Sequence, residues 1–242
     1  MSNHLKRLTS PDSWRIAKKA NTFISKTAPG PHNAVAMPIG VWLRDHMGLA
    51  QNMKEVKKIL HGRLVIVNGL PCKDPKMGIG VFDIISLPSA GKYFRILRAR
   101  NGNIISVPIS EEDSKTRLCK IRNKTIIKGG KIQLNLRYGA NVLTDNNSYS
   151  PKDSVVLTLE GENRFDITEH FAFTEGNVAM IVGGSHFGKV GRITVIETIP
   201  GSISNRVTLE ELKGGEIFET IEEYVFMVGS KEPAVAEWGI EQ

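Results

Sequence analysis

The chain has 242 residues, of which 40% are hydrophobic and 24% are charged, a balance typical of folded proteins and too apolar for a disordered chain. At roughly 150 residues per domain, this length predicts one to two domains, or more if they are small. No apolar run reaches the roughly 18 residues of a membrane helix, and the basic start is not followed by the apolar stretch of a signal peptide. We therefore expect a soluble protein that is not exported.

Cysteine and histidine usage bears on the compartment and on metals. The two cysteines, Cys72 and Cys119, have no neighbouring Cys or His at ligand spacing, and none of the six histidines forms an H-x-x-x-H pair. These spacings predict neither a disulfide framework nor a zinc site, and a reducing cytoplasm fits best.

The charge is unevenly distributed along the chain. The net charge is +7 with a pI near 9.4. Residues 1–106 hold 17 Lys and Arg against five acidic residues, residues 107–170 are near neutral with ten against nine, and residues 171–242 hold five against eleven. Clustered positive charge predicts a polyanionic partner for the front half, and nucleic acid is the leading candidate. The alternative is an ordinary solvated basic surface.

Residues 1–36 look like a basic arm with few apolar anchors, namely Trp14, Ile16, Ala17 and Phe23. Ser10 and Pro11 predict the start of a short helix that reaches residue 20. Because so little apolar surface is present, we expect the arm to order only against the following domain or a partner.

Two amphipathic helices are predicted next. Ile39, Trp42, Leu43, His46 and Met47 recur at helical spacing, and Gly48 ends the first helix.

Asn52 and Glu55 predict a capping box for the second helix, which Gly62 closes. Its apolar side carries Met53, Val56, Ile59 and Leu60. The opposite side carries a basic stripe, which consists of Lys54, Lys57, Lys58 and His61.

The rest of the chain favours β-structure. Residues 64–67 predict a strand, and Asn68-Gly69 predicts a tight hairpin turn after it. Alternating apolar residues between turn signals predict further strands at 81–87, 93–97, 104–107, 118–122, 132–136, 155–159, 178–182, 193–195, 206–209, 217–220 and 224–228.

One segment matches a nucleotide-binding pattern without its context. Residues 183–189 satisfy G-x-x-x-x-G-K, but Val190 stands where a Ser or Thr would bind Mg²⁺, and a strand is predicted where the phosphate-binding helix should begin. A tight β-turn is the better interpretation, although Lys189 and Arg192 can still contact phosphate.

No catalytic arrangement emerges from the sequence. Gly78 and Gly80 lack the third glycine of a dinucleotide fingerprint, because Asp83 occupies that position. The acidic pairs at 111–112 and 210–211 have no partnered His, Ser or Lys pattern. We expect no enzyme activity, no cofactor and no small-molecule substrate.

Several segments resemble known RNA-binding families. Residues 41–87, above all 52–69, resemble the alpha-L RNA-binding module, and residues 176–197 resemble a KOW motif. Together with residues 4–8, 13–14, 29–32, 43–45, 55–60, 74–76, 93–95, 118–120 and 200–202, their order resembles the archaeal and eukaryotic small-subunit ribosomal protein family S4e.

This resemblance implies an α+β fold with four parts. These are a basic N-terminal arm at 1–36, an alpha-L domain of two helices plus a hairpin at 37–106, a central β domain at 107–172, and a KOW-containing, SH3-like β domain with an acidic tail at 173–242. Both β domains are expected to be barrel-like.

The implied function is structural, with binding to small-subunit ribosomal RNA beside neighbouring ribosomal proteins in the cytoplasm. The expected RNA-binding residues are basic side chains of the front half and of the KOW element: Lys6, Arg7, Arg15, Lys18, Lys19, Arg44, Lys54, Lys57, Lys58, Arg63, Lys73, Lys76, Arg95, Lys189 and Arg192.

Two other functions remain open at this point. An RNA-modifying enzyme could use the same alpha-L module, but it would need a catalytic domain that the remaining β segments do not provide. A KOW-type transcription factor would explain residues 176–197 and leave the front half unexplained.

Overall fold

The computed structural model describes residues 4–32, 36–99, 101–161, 164–212 and 214–234. The chain is mostly β with few helices, and it divides into two compact units. Unit 1 comprises Met1–Leu97 and Asn103–Arg117, and unit 2 comprises Arg98–Gly102 and Leu118–Gln242. The domain boundaries expected at 36/37, 106/107 and 172/173 stay predictions.

The N-terminal arm belongs to the core of unit 1. Strands β1 (Leu5–Lys6) and β2 (Phe23–Ile24) pair antiparallel. Trp14, Ile16 and Ile24 are buried in one cluster with the residues that follow the arm. The described part of the arm is therefore ordered against the following domain, which was one of the two expectations. Phe23 was predicted as an anchor, but it is 54% exposed.

The helix predicted to reach residue 20 is wrong. Only a 3-10 turn, Asp12–Trp14, forms there, and Arg15 ends it with a φ of 45°. Ser10 does not cap it, because its hydroxyl donates to the Arg7 carbonyl oxygen at 2.7 Å. The missing cap and the left-handed residue together leave room for one turn only.

The first predicted helix forms in a modified shape. After β3 (Met37–Pro38), helix α1 (Ile39–Val41) continues directly into a π-helical turn, Trp42–His46. Gly48 follows with a φ of 63°, as expected for a residue that ends a helix.

The second helix, α2 (Met53–His61), confirms its predicted capping box. The Asn52 side chain accepts from the amides of Lys54 and Glu55, both at 3.0 Å. The Glu55 carboxylate accepts from Gln51 N at 2.8 Å and from Asn52 Nδ2 at 2.7 Å. Val56 and Leu60 are fully buried, so the predicted apolar side is also confirmed.

A five-stranded sheet in unit 1 has the order β5-β4-β7-β8-β9. Its turn at Asn68 (φ 50°) and Gly69 (φ 77°) confirms the predicted hairpin. The strand predicted from residue 81 begins only at Ile84, because Phe82 has a φ of 66°. The strands are β4 (Ile66–Val67), β5 (Leu70–Pro71), β7 (Ile84–Leu87), β8 (Lys92–Arg98) and β9 (Ile104–Pro108), while β6 (Gly78–Ile79) pairs with β3.

Unit 2 contains two further five-stranded antiparallel sheets. The first has the order β12-β11-β10-β13-β14 and packs Cys119, Ile121 and Leu134 with Val155 and Leu157 in its core. Its strands are β10 (Thr116–Ile126), β11 (Ile132–Leu136), β12 (Asn141–Thr144), β13 (Ser154–Thr158) and β14 (Ile167–Phe171). β12 and β14 were not predicted, since they are short and largely polar and exist through pairing with β11 and β13.

The second sheet has the order β18-β17-β16-β15-β19. Its five strands lie close to their predicted positions, and the inward side chains of the central ones are buried. The strands are β15 (Val178–Ile181), β16 (Val190–Glu197), β17 (Arg206–Glu211), β18 (Ile217–Ile221) and β19 (Val225–Gly229). Within the described residues, no helix is long and apolar enough to cross a membrane.

Candidate nucleic-acid interface

Helix α2 presents the basic stripe to solvent. Lys54, Lys57, Lys58 and His61 are all exposed. The buried face opposite the stripe fixes the orientation of the helix, so the four side chains project from one side. This arrangement can hold a polyanion along the helix without a change in fold.

Arg63 lies at the end of α2 in an unusual backbone conformation. Its amide donates to Leu60 O at 3.0 Å, and the amide of Leu64 donates to Ile59 O at 3.4 Å. These two bonds form a Schellman motif, in which the left-handed position is normally occupied by glycine. Here Arg63 takes it with a φ of 55°, while Gly62 is right-handed at −70°. An exposed arginine is thus held at a position that costs about 1 kcal/mol relative to glycine.

The loop with Lys73 and Lys76 lies beside the start of α2. Both lysines are exposed. The amide of Gly40 donates to Pro75 O at 2.9 Å. A Cβ built on Gly40 would meet both Pro75 O and Met53 Cε, at 2.9 and 3.1 Å. The loop and the first turn of α2 therefore share a neighbour, which places the loop that carries Lys73 and Lys76 beside the start of the helix.

The arm supplies exposed cations and others that are already bound. Lys6, Arg15 and Lys19 are exposed. Lys18 donates to Ser10 O at 2.6 Å and lies 2.7 Å from Asp12 Oδ1. Lys18 is therefore committed to the arm itself.

Arg44 lies in the π-helical turn and is partly buried. Its guanidinium donates to Asp45 Oδ2 at 2.7 Å. Part of its charge is therefore neutralised by its neighbour in the chain.

Two expected RNA-binding residues lie inside unit 1. Arg7 is 3% exposed and donates to Ala17 O at 2.6 Å, and Arg95 is 5% exposed. An arginine can be buried when it is paired or hydrogen-bonded, and such a side chain does not face a ligand. We therefore leave Arg7 and Arg95 out of the candidate interface.

A buried polar cluster, the Asp83 node, holds several segments of unit 1 together. The Asp83 carboxylate accepts from Arg117 Nη2 at 2.7 Å, Asn68 Nδ2 at 2.9 Å and Gly80 N at 2.9 Å, and it lies 2.8 Å from His32 Nε2. Burial raises the pKa of Asp83, but the charges of His32 and Arg117 have the larger, opposite effect, and the pKa falls to about 2. The node is structural, because its four partners surround the carboxylate.

The KOW-like segment of unit 2 does not leave its cations free. Lys189 lies 2.5 Å from Glu216 Oε2 and 3.3 Å from Glu211 Oε2, and the hydrogen bond to Glu216 raises the pKa of Lys189. Arg192 is exposed, but it lies opposite Glu210 in the sheet. This acidic setting opposes phosphate binding.

The G-x-x-x-x-G-K segment is a β-turn between β15 and β16. The amide of Gly188 donates to Ile181 O, and the amide of Ile181 donates to Lys189 O. Val190 begins a strand. The amide of Lys189 donates to His186 O, which closes a β-turn, and Gly184 and Gly188 have positive φ. The prediction of a tight turn is therefore confirmed.

Sequence reasoning missed three cations in unit 2: Arg122, Lys128 and Lys131 are exposed on strand β10 and in the loop between β10 and β11. The available signal was a stretch without any Asp or Glu between Asp113 and Asp145. Averaging charge over residues 107–170 hid it.

Comparisons with known proteins show similarity to a family of ribosomal proteins. Residues 90–164 match the model of Ribosomal family S4e, and residues 1–35 match the RS4NT (NUC023) domain. The solved structure of the 30S ribosomal protein S4e from Thermoplasma acidophilum matches with a TM-score of 0.66 and 29% identity, covering 81% of this chain and 95% of that chain.

Full-length relatives extend the match to the whole chain. The small ribosomal subunit protein eS4 of Methanospirillum hungatei is 54% identical over 242 residues, which cover 100% of both chains. The eS4 protein of Methanocella arvoryzae is 39% identical over 234 residues, covering 96% of this chain and 97% of the relative. The class is that of ribosomal structural proteins, which confirms the prediction that this protein is not an enzyme. Within that class, the chain belongs to the S4e family.

Proposed function

We propose that the protein is a structural component of the small ribosomal subunit in the cytoplasm and binds ribosomal RNA through unit 1. The relatives are named as small-subunit proteins. The observation that carries RNA binding is the exposed basic stripe of α2, with Arg63 at its end and Lys73 and Lys76 beside its start.

The contacts in this proposal are made to phosphates. Lysines on one helix face are point charges that fit a sugar-phosphate backbone, and they carry no pattern for reading bases. Arg63 can bind a phosphate through two donors. The proposed interface therefore consists of Lys6, Arg15, Lys19, Lys54, Lys57, Lys58, Arg63, Lys73 and Lys76.

A binding experiment tests the RNA interface. The full chain is titrated with in vitro transcribed small-subunit rRNA of Methanospirillum hungatei over a range of salt. Replacing Lys54, Lys57 and Lys58 by Ala should weaken binding and reduce the slope of log affinity against log salt by up to about three units. The fold should persist, because alanine favours helices and none of the three side chains is buried.

The matched control removes the same charge elsewhere. Lys92, Arg206 and Lys231 are exposed and lie outside the proposed interface, so their replacement by Ala should leave most of the affinity. An equal loss of rRNA affinity in both triple variants would mean that only the net charge of the protein matters, and it would contradict the proposed surface.

Sedimentation tests the ribosomal assignment separately. In a sucrose gradient of cell lysate, tagged protein should migrate with small subunits at normal Mg²⁺. Migration with RNA polymerase would instead favour the transcription-factor function.

A further inference from the structure

The segment that contains strands β10, β11 and β12 has an unusual charge composition. Between Asp113 and Asp145 the sequence contains eight Lys and Arg and no Asp or Glu. Exposed surfaces normally intersperse both signs of charge. Those cations of the run that are exposed and unpaired are therefore candidates for contact with a negative partner.

Most of these cations already have partners inside the protein. Lys120 donates to Val225 O at 2.6 Å, Lys124 donates to Tyr149 O at 2.8 Å, and Arg137 donates to Glu223 O at 2.7 Å. Arg117 belongs to the Asp83 node. Within the described ranges of the chain, Arg122, Lys128 and Lys131 are exposed and have no ion-pair partner.

The fold places these three cations at two separate positions. Ile121 pairs with Leu136 and Asn123 with Asn135, so Arg122 is the extra residue of a β-bulge. Lys128 and Lys131 flank Gly129 and Gly130 in the turn after β10, where both glycines have positive φ and open space around them. About 20 Å of strand separates the bulge from the turn, at roughly 3.3 Å per residue.

An uncharged polar face lies between the bulge and the turn. Asn123, Asn135 and Asn141 stand directly opposite one another across three strands. Beside them, Thr125 stands opposite Gln133. Asn135 Nδ2 donates to Asn123 Oδ1 at 2.6 Å, which orders these two amides. The alternate positions, such as Leu134, point into the core.

We propose that this surface, the amide face with Arg122, Lys128 and Lys131, is a second RNA-contacting site located in unit 2. It rests on the proposed function, because it adds a site to an RNA-binding protein. The wide, shallow minor groove of an RNA duplex displays 2′-hydroxyls between two phosphate backbones. The cations bind phosphates, and the amides meet the hydroxyls.

An acidic protein segment would be attracted by the same charges. It would not use the amide row in the same way, because carboxylates pair most strongly with the cations themselves. A row of uncharged amides fits a ligand whose hydroxyl groups both donate and accept hydrogen bonds. RNA is the ligand with both properties.

Two double variants of the full chain test the site. Lys128→Gln with Lys131→Gln removes the turn cations. Asn123→Asp with Asn141→Asp places carboxylates on the amide face, and the substitution at position 123 keeps an oxygen that can accept from Asn135. The control, Arg206→Gln with Lys231→Gln, removes two exposed cations from another part of unit 2.

The readouts are hydroxyl-radical footprinting and salt-dependent affinity on small-subunit rRNA of Methanospirillum hungatei. The lysine variant should reduce the salt slope by up to about two units. Both test variants should lose protection of the same nucleotides, which differ from those lost in the Lys54, Lys57 and Lys58 variant. The control should keep the wild-type footprint.

The outcomes separate this site from the interface in unit 1. Wild-type footprints and slopes in both test variants, with thermal unfolding unchanged, would overturn the second site alone, provided that the α2 variant still weakens binding. Wild-type protein that fails to bind the rRNA would overturn both proposals. Loss of binding to a protein partner with rRNA binding intact would also overturn the RNA site.

Discussion

Arg117 donates a 2.7 Å hydrogen bond to the buried carboxylate of Asp83, 34 residues earlier in the chain. The sequence offers neither residue an oppositely charged side chain among the three positions on either side of it. The pair joins the end of unit 1 to the turn before β7, so folding of that unit brings two distant charges together in the interior.

Replacement of Asp83 by Asn should destabilise unit 1 by about 3–5 kcal/mol, because it leaves the buried Arg117 charge uncompensated. Denaturant unfolding at neutral pH measures this loss. Arg206→Gln, at an exposed position of unit 2, is the control and should change stability by less than about 0.5 kcal/mol. Equal stability of the Asp83→Asn variant and the wild type would contradict a structural role for the node.

The same carboxylate predicts an acid dependence. The pKa of Asp83 falls from 3.8 to about 2 on folding, so the unfolded chain takes up a proton first as pH drops. The contribution of the ionised Asp83 carboxylate to the free energy of unfolding is fully present above pH 4. About 2 kcal/mol of this contribution is lost as the pH falls through 2. Unfolding measured between pH 5 and 2 should show this loss in the wild type and a smaller one in the Asp83→Asn variant.

Gly80 is expected to tolerate no side chain. A Cβ at this position would lie 2.2 Å from His32 Nδ1, and the buried imidazole cannot move without leaving Asp83. We expect Gly80→Ala to lower the stability by at least about 1–3 kcal/mol. Gly30→Ala is the control, because its nearest atom would be Ala28 O at 3.9 Å. Similar melting temperatures for the two variants would refute the close packing of His32.

Lys120 predicts a dependence at alkaline pH. Burial lowers the pKa of Lys120 to about 8, from 10.5, so the unfolded chain holds this proton at pH values where the folded chain has lost it. The stability contributed by this group therefore rises as pH increases from 8 to 10.5, by about 3 kcal/mol.

The comparison with Lys120→Met isolates that effect from other titrating groups. The variant should be less stable at pH 7, since Val225 O and Glu222 O lose their donor. The stability difference between wild type and variant should widen towards pH 10. A constant difference over this range would exclude a lowered pKa for Lys120.

Arg63 allows backbone strain to be separated from charge. Arg63→Gly should stabilise α2 by about 0.5–1 kcal/mol, because glycine adopts positive φ freely, whereas Arg63→Ala keeps the strain. Both variants should weaken rRNA binding equally, with the salt slope reduced by about one unit. Denaturant unfolding and rRNA binding measured on both variants separate the effect of backbone strain from the effect of charge. Weaker binding in only one of the two variants would mean that the backbone conformation at position 63 contributes to the interface.

Local signals in the sequence were sufficient to predict structure that depends on interactions between residues close together in the chain. Asn52 and Glu55 predicted the cap of α2, because a capping box bonds residues that are three apart. Asn68-Gly69 predicted its turn because both residues accept positive φ. The bounds of β11, residues 132–136, were also predicted correctly, since its apolar residues alternate between clear turn signals.

Charge averaged over long segments predicted that residues 1–106 are cationic, but it hid the exposed cations between Asp113 and Asp145. Seventeen cations in residues 1–106 indicated a polyanion-binding surface. The sequence could not separate exposed from internal charges, since that depends on partners remote in the chain. Arg7, Arg95 and Lys189 illustrate this, because the sequence predicts each as an RNA-binding cation and each is buried or ion-paired in the structure.

Tertiary structure alone decided the remaining features. The carboxylate of Asp83 is stable in the interior only because His32, Asn68 and Arg117 reach it from separate segments, and burying it without them would cost several kcal/mol. The amide face likewise exists only when β10, β11 and β12 pair in one register. Sequence determined helix α2, the Asn68-Gly69 turn and the cationic front half through local contacts, whereas strand pairing and desolvation determined which polar groups face the interior and which face solvent.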